Sequence, residues 1–106
     1  MYNQYLRMKG RIYKTAHNFA VAGVRYYGAR GRDPASAEMS EATRKYHCAA
    51  ILYKIALDDC EVYLLVTERD NGMEEDLRHI LTCQRTLAVI LNHLDKESTA
   101  SETRAS

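Results

Sequence analysis

SAEMSEATRKYHCAAILYKIALDDCEVYLLVT, residues 36–67, is the stretch whose reading decides the fold of this chain. Within it Met39, Ala42, Tyr46, Ala49, Tyr53, Ala56, Cys60 and Tyr63 recur at alternating steps of three and four, the spacing of one face of a helix. A second row, Cys48, Leu52, Ile55, Val62 and Val66, widens that face until it is broad enough to touch two neighbours. The pattern predicts a central helix from about Ser36 to Thr67. Each apolar stripe must be covered by another element, so a central helix of this kind implies an all-α bundle.

On the upstream side, Gly28-Ala29-Arg30-Gly31-Arg32-Asp33-Pro34 reads as the break between a first helix and the central one, with Asp33 placed to cap and Pro34 to occupy the first helical position. On the downstream side, Arg69-Asp70-Asn71-Gly72 is a turn cluster in which Asp70 or Asn71 caps the next helix. Glu74, Glu75 and Asp76 then fall in its first turn, where the positive end of the helix dipole favours them. Its seam is Met73, Leu77, Ile80, Leu81, Gln84, Leu87, Ala88, Leu91 and Leu94, and it ends near Lys96. The expected architecture is an antiparallel bundle of three long helices, with room for a short fourth, in a single domain over 1–96. Residues 97–106 are Ser, Thr, Ala and charge with nothing to bury, and read as a disordered tail. The competing reading makes strands of Phe19 to Tyr27 and Glu61 to Thr67, both rich in Val and Tyr.

A central helix of about 32 residues would run about 48 Å, beyond the roughly 36 Å of the third. It must therefore overhang, break, or be covered by a second copy, and a homodimer is the expected solution.

Charge is distributed unevenly. The first thirty-two residues hold seven Lys or Arg and no acidic residue, whereas the other seventy-four hold eight basic and fourteen acidic residues, a balance of −6. Drawn as a helix, Arg11, Lys14, Asn18 and Arg25 fall within roughly 40° of Arg7, opposite a stripe that contains Tyr5, Met8, Ile12 and Phe19. The basic stripe is either a solvated face, a recognition surface for an acidic protein, or a phosphate-binding surface. Gly23, in the apolar stripe, reads as a place of close approach for another helix. Two polar residues interrupt the apolar faces, Asp59 on the central helix and Gln84 on the third. Asp59 reads as a core partner of Lys9, Lys45 or a tyrosine hydroxyl, or else as a sign that its part of the face is a docking surface.

Chemistry is harder to find. No GxSxG, HExxH, phosphate-cradling glycine loop or paired catalytic acid is present, so no enzyme is expected. His47, Cys48, Cys60, His79 and Cys83 supply metal donors without CxxC or HxxxH spacing, and neither a metal nor a cofactor is expected. Three cysteines, an odd number, read as reduced small hydrophobes. With no apolar run of membrane length and no secretory pattern, the default location is cytoplasmic, with no membrane partner.

The expected function is a protein-binding module, acting as a small inhibitor, adaptor or chaperone. Its partner-binding residues would be Arg7, Arg11, Lys14, Arg25, Tyr26, Tyr27, Arg30 and Arg32, docked on an acidic protein surface. The alternative places the same arginines and lysine on nucleic-acid phosphates. Eight tyrosines and no tryptophan suit an interface, and a pI of 7.7 is low for a small nucleic-acid binder.

Overall fold

The computed structural model describes the backbone of residues 2–105 and the side chains of residues 3–97. Three helices follow one another: α1 (Tyr2–Arg32), α2 (Ala37–Val66) and α3 (Asn71–Ala105). No strand occurs among the described residues, so Phe19–Tyr27 lies inside α1 and the strand reading falls. The helical periodicity of the apolar positions outweighs the local β preference of Val and Tyr, which is a weak and context-dependent one.

Helix α2 is central. It packs closely against both α1 and α3, whereas α1 and α3 meet only through long side chains. One core cluster lies towards the α2–α3 turn and includes Tyr5, Leu57, Cys60, Leu64, Ile80 and Leu87. A second lies towards the α1–α2 turn and joins Tyr26, Ala29, Met39, Tyr46 and Leu94. Between α1 and α2 runs a ladder of rings, with Phe19 stacked on Tyr46 at 4.9 Å and Tyr26 tilted against Tyr46 at 4.9 Å. Gly23 makes room for it. A Cβ there would stand 3.1 Å from Tyr46 Cε1, so the missing side chain is what lets the Tyr46 ring rest on the α1 backbone.

The first helix does not stop at Gly28. It runs to Arg32, because Ala29 is buried in the second core cluster and every glycine of the chain keeps an ordinary backbone conformation. Gly28 and Gly31 weaken a helix by about 1 kcal/mol each relative to Ala, and core packing overrides that. The cap is also displaced. Ser36, not Asp33, caps α2, its hydroxyl accepting from Met39 N at 3.1 Å. Asp33 instead accepts from Ala35 N at 3.1 Å, which places Pro34 in the turn rather than at the first helical position. Replacing Ser36 by Ala should cost about 0.5–2 kcal/mol in thermal or urea unfolding. A loss indistinguishable from zero would mean that another group satisfies the Met39 amide.

At the second turn Asp70 caps α3 by accepting from Met73 N at 2.8 Å. Arg69 ties the two helix ends together, donating to the Leu64 carbonyl at 2.5 Å and to Glu74 at 2.8 Å. Glu97, which the sequence assigns to the tail, belongs to the bundle. It lies in α3, half-buried, and the side chains of the rest of the expected tail, 98–106, lie outside the described ones. The three helices contain 31, 30 and 35 residues, so α2 has no overhang and no fourth helix is needed. Unequal length therefore gives no ground for a dimer.

Candidate protein-binding surface

Residues 71 apart clamp α1 to α3 at two levels. The Tyr5 hydroxyl donates to Asp76, which also pairs with Lys9 at 3.2 Å. The Tyr26 hydroxyl donates to Glu97 at 2.6 Å, and Glu97 also pairs with Arg30 at 3.3 Å. In both clasps a tyrosine and a basic residue four positions later grip one carboxylate. The two sets stand 21 residues apart on α1 and 21 apart on α3, so these helices are parallel, with α2 antiparallel to both. Three heptads return to one face when helices wind at 3.5 residues per turn, which is how both clasps stay on the same side of the bundle.

The clasps redistribute the residues marked out by the sequence. Tyr26 is fully buried, with no exposed surface to offer a partner. Burial first, and the hydrogen bond to Glu97 second, push its phenol up to about 12. Arg30 is exposed but engaged, 3.3 Å from Glu97 and 3.5 Å from His93. Arg32 is held by Glu38 at 2.5 Å across the α1–α2 turn. Arg11 reaches Asp59 on α2 at 3.2 Å, and both side chains are about half exposed. Asp59 is thus a surface ion pair with Arg11, not a core partner of Lys9, Lys45 or a tyrosine, and such a pair costs little desolvation. Gln84 bridges α3 to α2 by donating to Asp58 at 2.9 Å and to Glu61 at 3.0 Å.

Arg7, Lys14 and Arg25 remain. They are exposed, and none makes an ion pair or hydrogen bond among the described residues. They share the outward side of α1 over 18 residues, about 27 Å of helix. Tyr27 is exposed too, its ring edge-on to Tyr26 at 5.0 Å. Beside Arg25 a groove of about 430 Å³ opens between α1 and α2, lined by His17, Val21, Arg25, Glu38, Glu41 and Lys45 among others. Inside it Lys45 pairs with Glu41 at 3.0 Å and lowers its pKa, and Glu38 is engaged by Arg32. Arg25 is the cation there with its fork open, fit for a carboxylate or a phosphate.

The apolar pattern yields a second surface. The row Cys48, Leu52, Ile55, Val62 and Val66, expected to contact a neighbouring helix, is exposed. The five metal donors do not converge either: His79 lies 3.6 Å from Cys83, but no three His, Cys, Asp or Glu among the described residues are placed to hold a metal ion. Among the described residues no helix is long and apolar enough to cross a membrane. Comparisons with protein families, curated proteins and solved structures return no match.

Proposed function

We propose that this chain is a non-enzymatic protein-binding module, a small inhibitor, adaptor or chaperone, that docks the outward side of α1 on an acidic surface of a larger protein and works as a homodimer. The observation that carries the reading is the open row Arg7, Lys14 and Arg25. Among the described residues these three cations have no ion pair or hydrogen bond, as Arg44, Arg78, Arg85 and Lys96 also have none, whereas Lys9, Arg11, Arg30, Arg32, Lys45, Lys54 and Arg69 each have one. What sets the three apart is that they align on one side of α1. Open cations on one straight edge present a field to an anionic partner without any cost of breaking internal pairs. Arg11 and Arg32 flank the row and are available at the modest cost of an exposed pair. Tyr27 adds an apolar ring with a polar tip at one end. Tyr26 is buried inside the bundle and has no part in docking, whereas Arg30, exposed and paired with Glu97, is available at the same modest cost as Arg11.

Reversing Arg7 and Arg25 to Glu should leave helicity and melting temperature nearly unchanged, because exposed charges contribute little to stability. Binding to an acidic partner captured from lysate and identified by mass spectrometry should fall at least about tenfold, and wild-type binding should weaken with salt. Equal binding by the reversed protein would reduce the row to a solvated face. Mobility shifts on duplex and single-stranded nucleic acid supply the other outcome: affinity that rises with strand length and falls steeply with salt would move the row onto phosphates.

A further inference from the structure

Helix α2 is apolar on both sides, and only one side is covered. With the fully buried Leu57 as zero, Cys48, Leu52, Ile55, Asp59, Val62 and Val66 lie within roughly 40° of the opposite direction at about 100° per residue. Their steps are four, three, four, three and four, the heptad seam that one helix offers to another. Exposure rises to 56% at Leu52, 61% at Val62 and 81% at Val66. A helix that is hydrophobic all round belongs in an interior, so the outward row calls for a cover of the same length.

We infer that a second copy of this chain supplies that cover, its α2 packed antiparallel on this one about a two-fold axis near Leu57. The inference rests on the dimeric part of the function proposed above and adds to it the surface and the orientation. Antiparallel pairing sets Cys48 against Val66 of the second copy, Leu52 against Val62 and Ile55 against Asp59, which are the a-to-d layers of such a pair. Ile51 and Leu65, 40% and 58% exposed, meet beside the seam.

Charge selects both the occupant and its direction. A parallel copy in register would press two Asp59 carboxylates together at a core position. The antiparallel copy sets each Asp59 beside an isoleucine while Arg11 of its own chain holds it at 3.2 Å. At the ends, Arg44 and Lys45 lie just before the seam and Glu68 and Asp70 just after it, so reversing one copy brings opposite charges together twice. Asp58 comes near its counterpart at the axis, and Lys54 neutralises it within each chain at 2.5 Å. The surface is also shaped for the fit. A groove of about 330 Å³ between α1 and α2, lined by Thr15, Asn18, Arg44, Cys48 and Leu52 among others, lies where Val66 and Glu68 of the second copy arrive.

The test is sedimentation of the purified chain together with disulfide trapping. At tens of micromolar the wild type should sediment at twice its 12.1 kDa mass. Leu52→Asp, at an exposed site, should keep its helicity and weaken self-association at least about 100-fold, since the dimer would bury an unpaired carboxylate. Arg7→Glu with Arg25→Glu should remain dimeric, which separates this surface from partner docking by α1. With Cys83→Ser throughout, Val66→Cys should form a covalent dimer with oxidised glutathione, and adding Cys48→Ser should abolish it. Two Cys48 residues stand about 27 Å apart in the antiparallel pair and cannot bridge. A monomeric wild type would overturn the surface and the dimer together. A dimer that tolerates Leu52→Asp would keep the dimer and overturn the surface, and Cys48 bridging to Cys48 would overturn the orientation.

Discussion

Replacing Leu57 by Ala is expected to destabilise the chain by about 2–5 kcal/mol, measured by urea or thermal unfolding. Leu57 has no exposed surface, and it sits in the cluster where Tyr5 from α1 and Leu77, Ile80 and Leu87 from α3 converge on α2. Deleting three carbons there removes contacts to both neighbours, and the long helices on either side leave little freedom to collapse into the gap. A domain of this size has a total stability of about 5–15 kcal/mol, so one such deletion removes a large share of it. Leu87→Ala should behave alike, since Leu87 is only 2% exposed. Leu91→Ala should cost less, because Leu91 is half-buried and packs at the edge of the same cluster. Val89→Ala, on the outer side of α3, should stay within about 0.5 kcal/mol. A Leu57→Ala variant with wild-type stability would place the core elsewhere in the bundle.

Much of this core is legible in the sequence, because helix periodicity is a property of neighbouring residues. The row from Met39 to Tyr63 marks the inward side of α2, and Asp70 and Gly23 act as their chemistry and position imply. What is less legible depends on partners distant in the chain. Gly28 reads as a break until Ala29 is seen packed in the second core cluster, a contact no local pattern reports. Tyr26 and Arg30 look like surface recognition residues because both are polar at one end, yet Glu97, 71 positions beyond Tyr26, engages both, with Tyr26 fully buried and Arg30 held in an exposed pair. A signal for that existed: a tyrosine followed four residues later by Lys or Arg occurs at Tyr5 and Tyr26, 21 apart, and Asp76 and Glu97 repeat the interval. The outward row of α2 was ambiguous for a different reason. An apolar side chain at helical spacing specifies that something must cover it, and spacing alone does not distinguish a neighbour in the same chain from a separate molecule.

The clasps and the ring ladder also set how the fold responds to pH. Burial, followed by the Asp76 contacts, raises the Tyr5 phenol. Burial is likewise the largest cause at Tyr26, Tyr46 and Tyr53, where Glu97, Tyr27 and Cys83 respectively add to it, and each phenol rises from 10.0 to about 12. A phenol whose pKa is higher in the folded chain than in the unfolded one favours folding fully below the unfolded value, and that contribution is lost as pH rises through the folded value. The four contributions are therefore intact below about pH 10 and disappear towards pH 12 and above. At the acid end the sign reverses. Burial pushes Asp76 up, but hydrogen bonds from Tyr5 and Lys9 outweigh it and lower its pKa below 3.8. Its contribution is present above that ordinary value and lost as pH falls through the lowered one. Alkaline titration should thus produce a single cooperative loss of helicity above about pH 10, with the phenolate absorbance of the buried tyrosines rising in the same step rather than before it. Ionisation of all eight tyrosines near pH 10 with the helical signal unchanged would contradict the buried ladder and both clasps. Tyr26→Phe separates the two contributions. It keeps the ring against Tyr46 while removing the hydroxyl that Glu97 accepts, so it should raise the alkaline midpoint and lower stability at neutral pH by about 0.5–1.5 kcal/mol.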